Sequence, residues 1–143
     1  MIKQLEKSIS ESDKNHLLLL ERNKVFSFDL IPNFLIEVIE RFKVGYNSFN
    51  SKSIWRVNDI IDQAVDWHTD RSTNWDWCDH AISITLNKDY NGALLEYRDH
   101  HLDCDRYLRA FLHSWEEEHR VSPCEGGRRI ALHMFFGKSN EEN

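Results

Sequence analysis

Hydrophobic and polar positions change their rhythm partway along the chain. From Pro32, the stretch PNFLIEVIERFK places Phe34, Leu35, Val38, Ile39 and Phe42 at helical spacing. That predicts a helix with one buried face, and proline suits its first turn. The second half keeps a period of two. In HAISITLN, Ile82, Ile84 and Leu86 alternate with Ala81, Ser83, Thr85 and Asn87, which predicts a strand with two distinct faces. KDYNG reads as a turn, with Asn91-Gly92 tolerant of positive φ, and ALLEYR as the strand that resumes after it. VSPCEGG reads as a turn-rich connection and RRIALHMFF as a closing strand, while YLRAFLHSW fits either a strand or a short helix. HLLLLERNKVFSFDL has strand-like residues, residues 1–15 are polar and read as helical or loose, and the tail GKSNEEN reads as frayed. A helix followed by a succession of short strands predicts an α+β, mainly β, chain whose core is a sandwich or barrel.

Composition narrows the setting. A length of 143 residues suits one domain, with a helix-containing part over 1–50 and a β core over 51–137. Hydrophobic residues at 41% fit a packed fold rather than a disordered chain. The net charge of -6 leaves no basic surplus to neutralise phosphates, so nucleic acid is not an expected partner. The N-terminal stretch carries charges where a signal peptide needs an apolar core. No run of residues approaches a membrane span, so no membrane partner is expected. Cys78, Cys104 and Cys124 are too scattered for a disulfide framework or a C-x-x-C knuckle. They read as reduced thiols, and the expected location is cytoplasmic.

Candidate chemistry begins at DWHTD. His68 and Asp70 can offer an imidazole nitrogen and a carboxylate oxygen to one cation, although a pair on a solvated loop looks the same. A 2-His-1-carboxylate iron site needs one more histidine. The residues alone leave His80, His100, His101, His113, His119 and His133 open. His101 and Asp103 form a rival H-x-D pair in HHLDCD. Cys78-x-His80 invites a zinc reading, but no second pair at ligand spacing completes it. Trp55, Trp67, Trp75, Trp77 and Trp115 read first as core, with a substrate entrance as the alternative for Trp75 and Trp77, just past the motif. The run Glu116, Glu117 and Glu118 reads as a solvated face.

The stretch FLHSWEEEHRVSPCEGGRRIALHMFF resembles the C-terminal signature of the prolyl-hydroxylase-like 2-oxoglutarate/Fe(II) oxygenases. His119-Arg120-Val121-x-Pro123 matches the family's histidine segment, and Gly127-x-Arg129 matches the family's next segment. Upstream, TLNKDYNGALLEY is similar to the family's strand-turn-strand, with Leu86, Asn87, Asp89, Gly92, Leu95 and Tyr97 in register. With WHTD as the H-x-D element, the resemblance covers residues 54–136. Ala93 departs from the usual second glycine, His113 stands where proline is common, and one extra residue lies between Ser114 and His119.

The resemblance implies a double-stranded β-helix, or jelly roll, that uses Fe(II), 2-oxoglutarate and O2. It selects His119 as the third ligand beside His68 and Asp70, making these the metal and catalytic residues. It also makes Arg129 the grip on the far carboxylate of 2-oxoglutarate and Thr85 a second contact there, with a plain strand threonine as the alternative for Thr85. Strand alternation agrees, since Arg129, Ala131, His133 and Phe135 share one face and Arg128, Ile130, Leu132 and Met134 the other. A buried arginine needs an anion, and small Ala131 leaves room for one; an arginine on a strand surface is the alternative. Ala81, Ser83 and Thr85 are then expected on the pocket side. The implied activity is hydroxylation of a peptidyl residue, prolyl by resemblance. A small-molecule substrate, such as a free amino acid, and a non-catalytic binding module are the alternatives.

Overall fold

The computed structural model describes residues 1–60, 65–71, 75–100 and 107–139. In chain order its elements are β1 (Ile2–Leu5), α1 (Glu11–Leu18), β2 (Phe26–Ser27), one turn of 3-10 helix (Phe28–Leu30), α2 (Asn33–Arg41), β3 (Ile54–Ile60), β4 (Val65–His68), β5 (His80–Thr85), β6 (Tyr90–Gly92), β7 (Leu95–Tyr97), β8 (Ala110–Ser114), β9 (His119–Val121), β10 (Cys124–Gly127) and β11 (Arg129–Phe136). The rival pair His101 and Asp103, Cys104 and the last residues of the tail lie outside the described residues.

Antiparallel pairing builds one large sheet in the order β1-β8-β5-β11-β3-β2. A smaller sheet, β4-β9-β7, stands opposite it, beside the pair β10-β6. The two faces of the large sheet do different work. Trp55, Val57, Ile82, Ile84, Leu112, Leu132 and Met134 form one buried cluster with Leu35, Val38, Ile39 and Phe42 at α2. The helix thus lays its apolar stripe where the sequence spacing placed it. The other face looks toward the smaller sheet, where Phe111 packs on Leu95 and Tyr97. Ser83 and Thr85 of β5 are buried on that inner face, opposite Ile82 and Ile84, as alternation requires. The mainly β jelly-roll architecture expected from the sequence is the one observed.

Several local expectations differ. Residues 2–5 form a strand rather than a helix or loose chain, pairing Ile2 with His113 at the edge of the large sheet. Four residues alternating little in burial give no readable period. His16, Leu17 and Leu18, expected in a strand, close helix α1, which Ser10 caps by accepting from the Asp13 amide. Pro32 is the N-cap of α2 rather than part of its first turn. KDYNG and VSPCEGG, expected as turns, contribute β6 and β10, which pair with each other. Gly92 and Gly127 both have positive φ, and an added Cβ would overlap the Pro123 and Asp89 carbonyl oxygens. Glycine is required at both. Ala93 also sits at positive φ, which shows why a second glycine suits that place.

Candidate metal centre

His68 ends β4 and lies directly across from His119 at the start of β9, their ring centroids 4.3 Å apart. Asp70 follows two residues later and is buried. One ligand atom from each of His68, Asp70 and His119 lies within 4.8 Å of the others, so the three can hold one metal ion. The tautomers are set by the backbone. His68 Nδ1 is 2.7 Å from the Asp66 carbonyl oxygen, and His119 Nδ1 is 2.9 Å from that of Glu117. Each ring donates there, which leaves Nε2 as the ligand atom. Two imidazoles and one carboxylate, with no fourth protein ligand among the described residues, suit Fe(II) rather than a closed structural zinc site.

Asp70 has its own support. His113, on β8 of the large sheet, places Nε2 2.7 Å from Asp70 Oδ2, and His119 Nε2 lies 3.2 Å from Oδ1. His113 Nδ1 in turn meets the Tyr97 hydroxyl at 2.8 Å. Burial pushes the Asp70 carboxyl up, but the hydrogen bonds and charge of His113 and His119 outweigh it and hold the carboxyl well below its usual range. Burial holds His113 below its ordinary value, only partly offset by Asp70. His119 is raised because Asp70 outweighs its own burial. His113 therefore positions the carboxylate that faces the ion. His113→Ala is expected to weaken metal affinity by about 10- to 100-fold, the usual effect of removing such a partner. His113→Gln should recover part of it. Calorimetric titration with Co(II) checks both, and unchanged affinity in His113→Ala would exclude the positioning role.

Between the sheets lies a cavity of about 330 Å³, lined by His68, Asp70, His113 and His119 and, on the large sheet, by Ser83, Arg56, Asn58, Ile60, His133 and Phe135. Ser83 Oγ is buried without a protein partner among the described residues, a free donor at the cavity wall. Arg129 is fully buried, and its Nη2 and Nε lie 3.0 and 3.3 Å from Thr85 Oγ1. Its cross-strand neighbour Ile60 lines the cavity. Arg128 points the other way, exposed and paired with Asp59 at 2.8 Å.

His133 hydrogen-bonds Asn58 at 2.9 Å, and burial, with the charges of Arg129 and Arg56, holds its pKa well below 6.5. A histidine buried neutral binds fewer protons than in the unfolded chain, so its contribution to stability is present above about 6.5 and lost as pH falls below it. The metal-free protein should therefore melt at lower temperature at pH 5.5 than at 7.5. The drop should shrink in His133→Gln; an equal drop would place the pH dependence elsewhere.

Other candidates fall differently. Cys78 and His80 do not join a ligand cluster among the described residues. His80 Nδ1 bonds the Tyr46 hydroxyl at 2.8 Å, and burial pushes the Cys78 thiol up to about 12, away from the thiolate a metal needs. Trp75 packs edge-on against Phe135, a cavity residue, at 4.9 Å, and Trp77 packs on Trp75. Trp67 is no core residue: the guanidinium groups of Arg98 and Arg120 lie over its ring. Trp115 likewise carries Arg71 at 4.2 Å. Glu116 and Glu118 are exposed as expected, whereas Glu117 is partly buried. Arg56, Asn58 and the Tyr97–His113 support were not singled out for these roles in the sequence. Alternation in IWRVNDI, with Trp55 and Val57 facing the core, would have sent Arg56 and Asn58 to the cavity side.

No protein-family model matches the sequence, and no curated protein matches it. Solved structures do. A viral collagen prolyl hydroxylase from Paramecium Bursaria Chlorella virus-1, in its 2OG complex, superposes with a TM-score of 0.71 at 12% identity, covering 96% of this chain and 95% of that one. A Pseudomonas putida prolyl-4-hydroxylase gives 0.66 at 14% identity over 96% and 92% of the two chains. A Trichoplax adhaerens prolyl hydroxylase, in complex with a hypoxia inducible factor peptide fragment, gives 0.67 at 13% identity over 96% and 83%. At these identities the likeness is one of fold, and the fold is that of the prolyl hydroxylases and 2-oxoglutarate/Fe(II) oxygenases.

Proposed function

We propose that this chain is an Fe(II)- and 2-oxoglutarate-dependent hydroxylase acting on a peptidyl residue. The observation that carries the reading is the convergence of His68, Asp70 and His119 on one point of a cavity whose inner sheet also buries Arg129 against Thr85. The two histidines and the carboxylate hold the metal. Arg129, with Thr85, receives the far carboxylate of 2-oxoglutarate through a planar fork of charged donors. Ferrous iron, when bound, supplies the oxygen activation that couples decarboxylation of 2-oxoglutarate to succinate with hydroxylation of a C–H bond.

The protein's own part is binding, orientation and exclusion of water. His113 and Tyr97 fix Asp70, and the backbone carbonyls of residues 66 and 117 fix the imidazoles. Ile60, Leu95 and Val121 give the cavity apolar walls, while Ser83 offers a hydroxyl to whatever occupies it. A peptide substrate is supported by the fold neighbour bound to a peptide fragment. The test measures succinate from the Fe(II)-loaded protein with 2-oxoglutarate and O2. Mass spectrometry of peptides in the same mixture then looks for the gain of one oxygen atom. Succinate that appears equally without iron, or no oxidised product from any peptide, would reject the reading.

A further inference from the structure

The cavity holds a second cation that no described residue neutralises. Arg56 reaches it from β3, on the same inner face as Asn58 and Ile60. Its Nε is buried without a hydrogen-bond partner among the described residues. The groups around it are already committed or neutral. Phe135 offers only its ring face, 5.5 Å from the guanidinium carbon, and Trp75 braces that ring from beyond. Asn58 is engaged with His133, which lies opposite Arg56 across the β3–β11 pair and stays neutral. Asp59, of the same strand, also reaches the cavity rim, where its Oδ2 pairs with Arg128 and its Oδ1 is buried without a partner among the described residues, so its one negative charge is matched by Arg128. Asp70, on the other side of the cavity, is held by His113 and His119.

Formal charge makes the consequence plain, and this step rests on the oxygenase reading above. The two positive charges of Fe(II) and the one on Arg129 balance the carboxylate of Asp70 and the two carboxylates of 2-oxoglutarate. Arg56 is left over. An unbalanced charge in a partly buried site is costly unless an anion meets it. We infer that Arg56 is a substrate-binding residue that selects a substrate bearing a carboxylate. A single surplus charge matches a monoanion better than a phosphate, which carries about -1.5 to -2 at neutral pH. The guanidinium fork fits a carboxylate with two parallel hydrogen bonds. The carboxylate can come from the end of a chain or from an acidic side chain.

The test reads Arg56 directly. Protein labelled with 15N-arginine, loaded with Zn(II) in place of iron and saturated with 2-oxoglutarate, is titrated with three probes. These are N-acetylglycine for a terminal carboxylate, N-acetylaspartic acid α-amide for a side-chain carboxylate, and neutral N-acetylglycinamide. The Arg56 Nε resonance, identified by its absence in Arg56→Lys, should move saturably with at least one carboxylate and not with the amide. Which carboxylate moves it names the source. No movement with either acid, or equal movement with the amide, overturns the inference. A second measurement separates it from the reading beneath it. Arg56→Ala should bind 2-oxoglutarate as the unaltered protein does. Loss of that binding would make Arg56 the co-substrate's grip and overturn the inference. If instead Arg129→Ala keeps full 2-oxoglutarate affinity, the oxygenase reading fails, and the Arg56 titration in the Zn(II) protein still stands on its own result. With any peptide found to be hydroxylated, Arg56→Ala should raise KM on the order of tenfold or more, as loss of a charged hydrogen bond does, with kcat retained. Arg56→Lys should restore part of it.

Discussion

On the proposed oxygenase reading, iron content should fall to background in His68→Ala, Asp70→Ala and His119→Ala, and turnover should fall with it. This is the largest effect expected of any substitution in the chain. Among the described residues these three, with ligand atoms within 4.8 Å of one another, are the group that could hold a metal, so on the proposed reading losing one leaves a two-point site. Asp70 carries an added consequence, because its carboxylate also receives His113 and His119. Removing it leaves the buried His113 Nε2 donor unsatisfied, at about 1–3 kcal/mol. Asp70→Asn keeps the shape and an acceptor while removing the charge. It should therefore fold with a melting temperature closer to the unaltered protein than Asp70→Ala does, yet still bind little iron. His101→Ala serves as the counter-test for the competing H-x-D pair. Metal analysis of the purified variants decides between the pairs: iron kept by His68→Ala and lost by His101→Ala would move the centre to the second motif.

The His68–Asp70 pair was readable from its spacing, whereas His119 was singled out among six histidines only by the family resemblance. His68 and Asp70 are two positions apart at a strand end, and the partner strand begins with His119, so antiparallel pairing brings them together. The direction of Arg129 was readable from the period of two in RIALHMFF alone. What was hidden depends on distant segments. β1 exists only because β8 offers it an edge, and its own four residues carry no pattern. β6 and β10 each look like turns because glycines at positive φ punctuate them, and pairing between segments far apart in the chain makes them strands. The role of His113 illustrates the same limit. In the sequence it is a histidine where proline is common; its meaning comes from Asp70 on one ring nitrogen and Tyr97 on the other, each from a different strand region.

Arg129→Ala should raise the 2-oxoglutarate requirement sharply while iron still binds, and Arg128→Ala should change little. The two side chains leave opposite faces of one strand. Arg129 is fully buried against Thr85, whereas Arg128 is exposed and spends its charge on Asp59. The arginine end of that pair is exposed while Asp59 is largely buried at the cavity rim, so losing Arg128 should cost some stability but leaves the Arg129–Thr85 contact in place. Removing one partner of a buried charge pair costs about 2–5 kcal/mol in binding, because the carboxylate left behind has lost the charge that met it. At about 1.4 kcal/mol per tenfold, that is a weakening on the order of thirtyfold or more. Arg129→Lys should recover part of the loss, since it keeps the charge without the planar fork. Thr85→Val should cost less than Arg129→Ala, because it removes an orienting hydroxyl and leaves the charge. Titrating 2-oxoglutarate against the four variants, each first shown to melt cooperatively and to bind Co(II), provides the measurement. Equal effects at positions 128 and 129, or a larger one at 128, would mean that the co-substrate's carboxylate does not lie between the sheets.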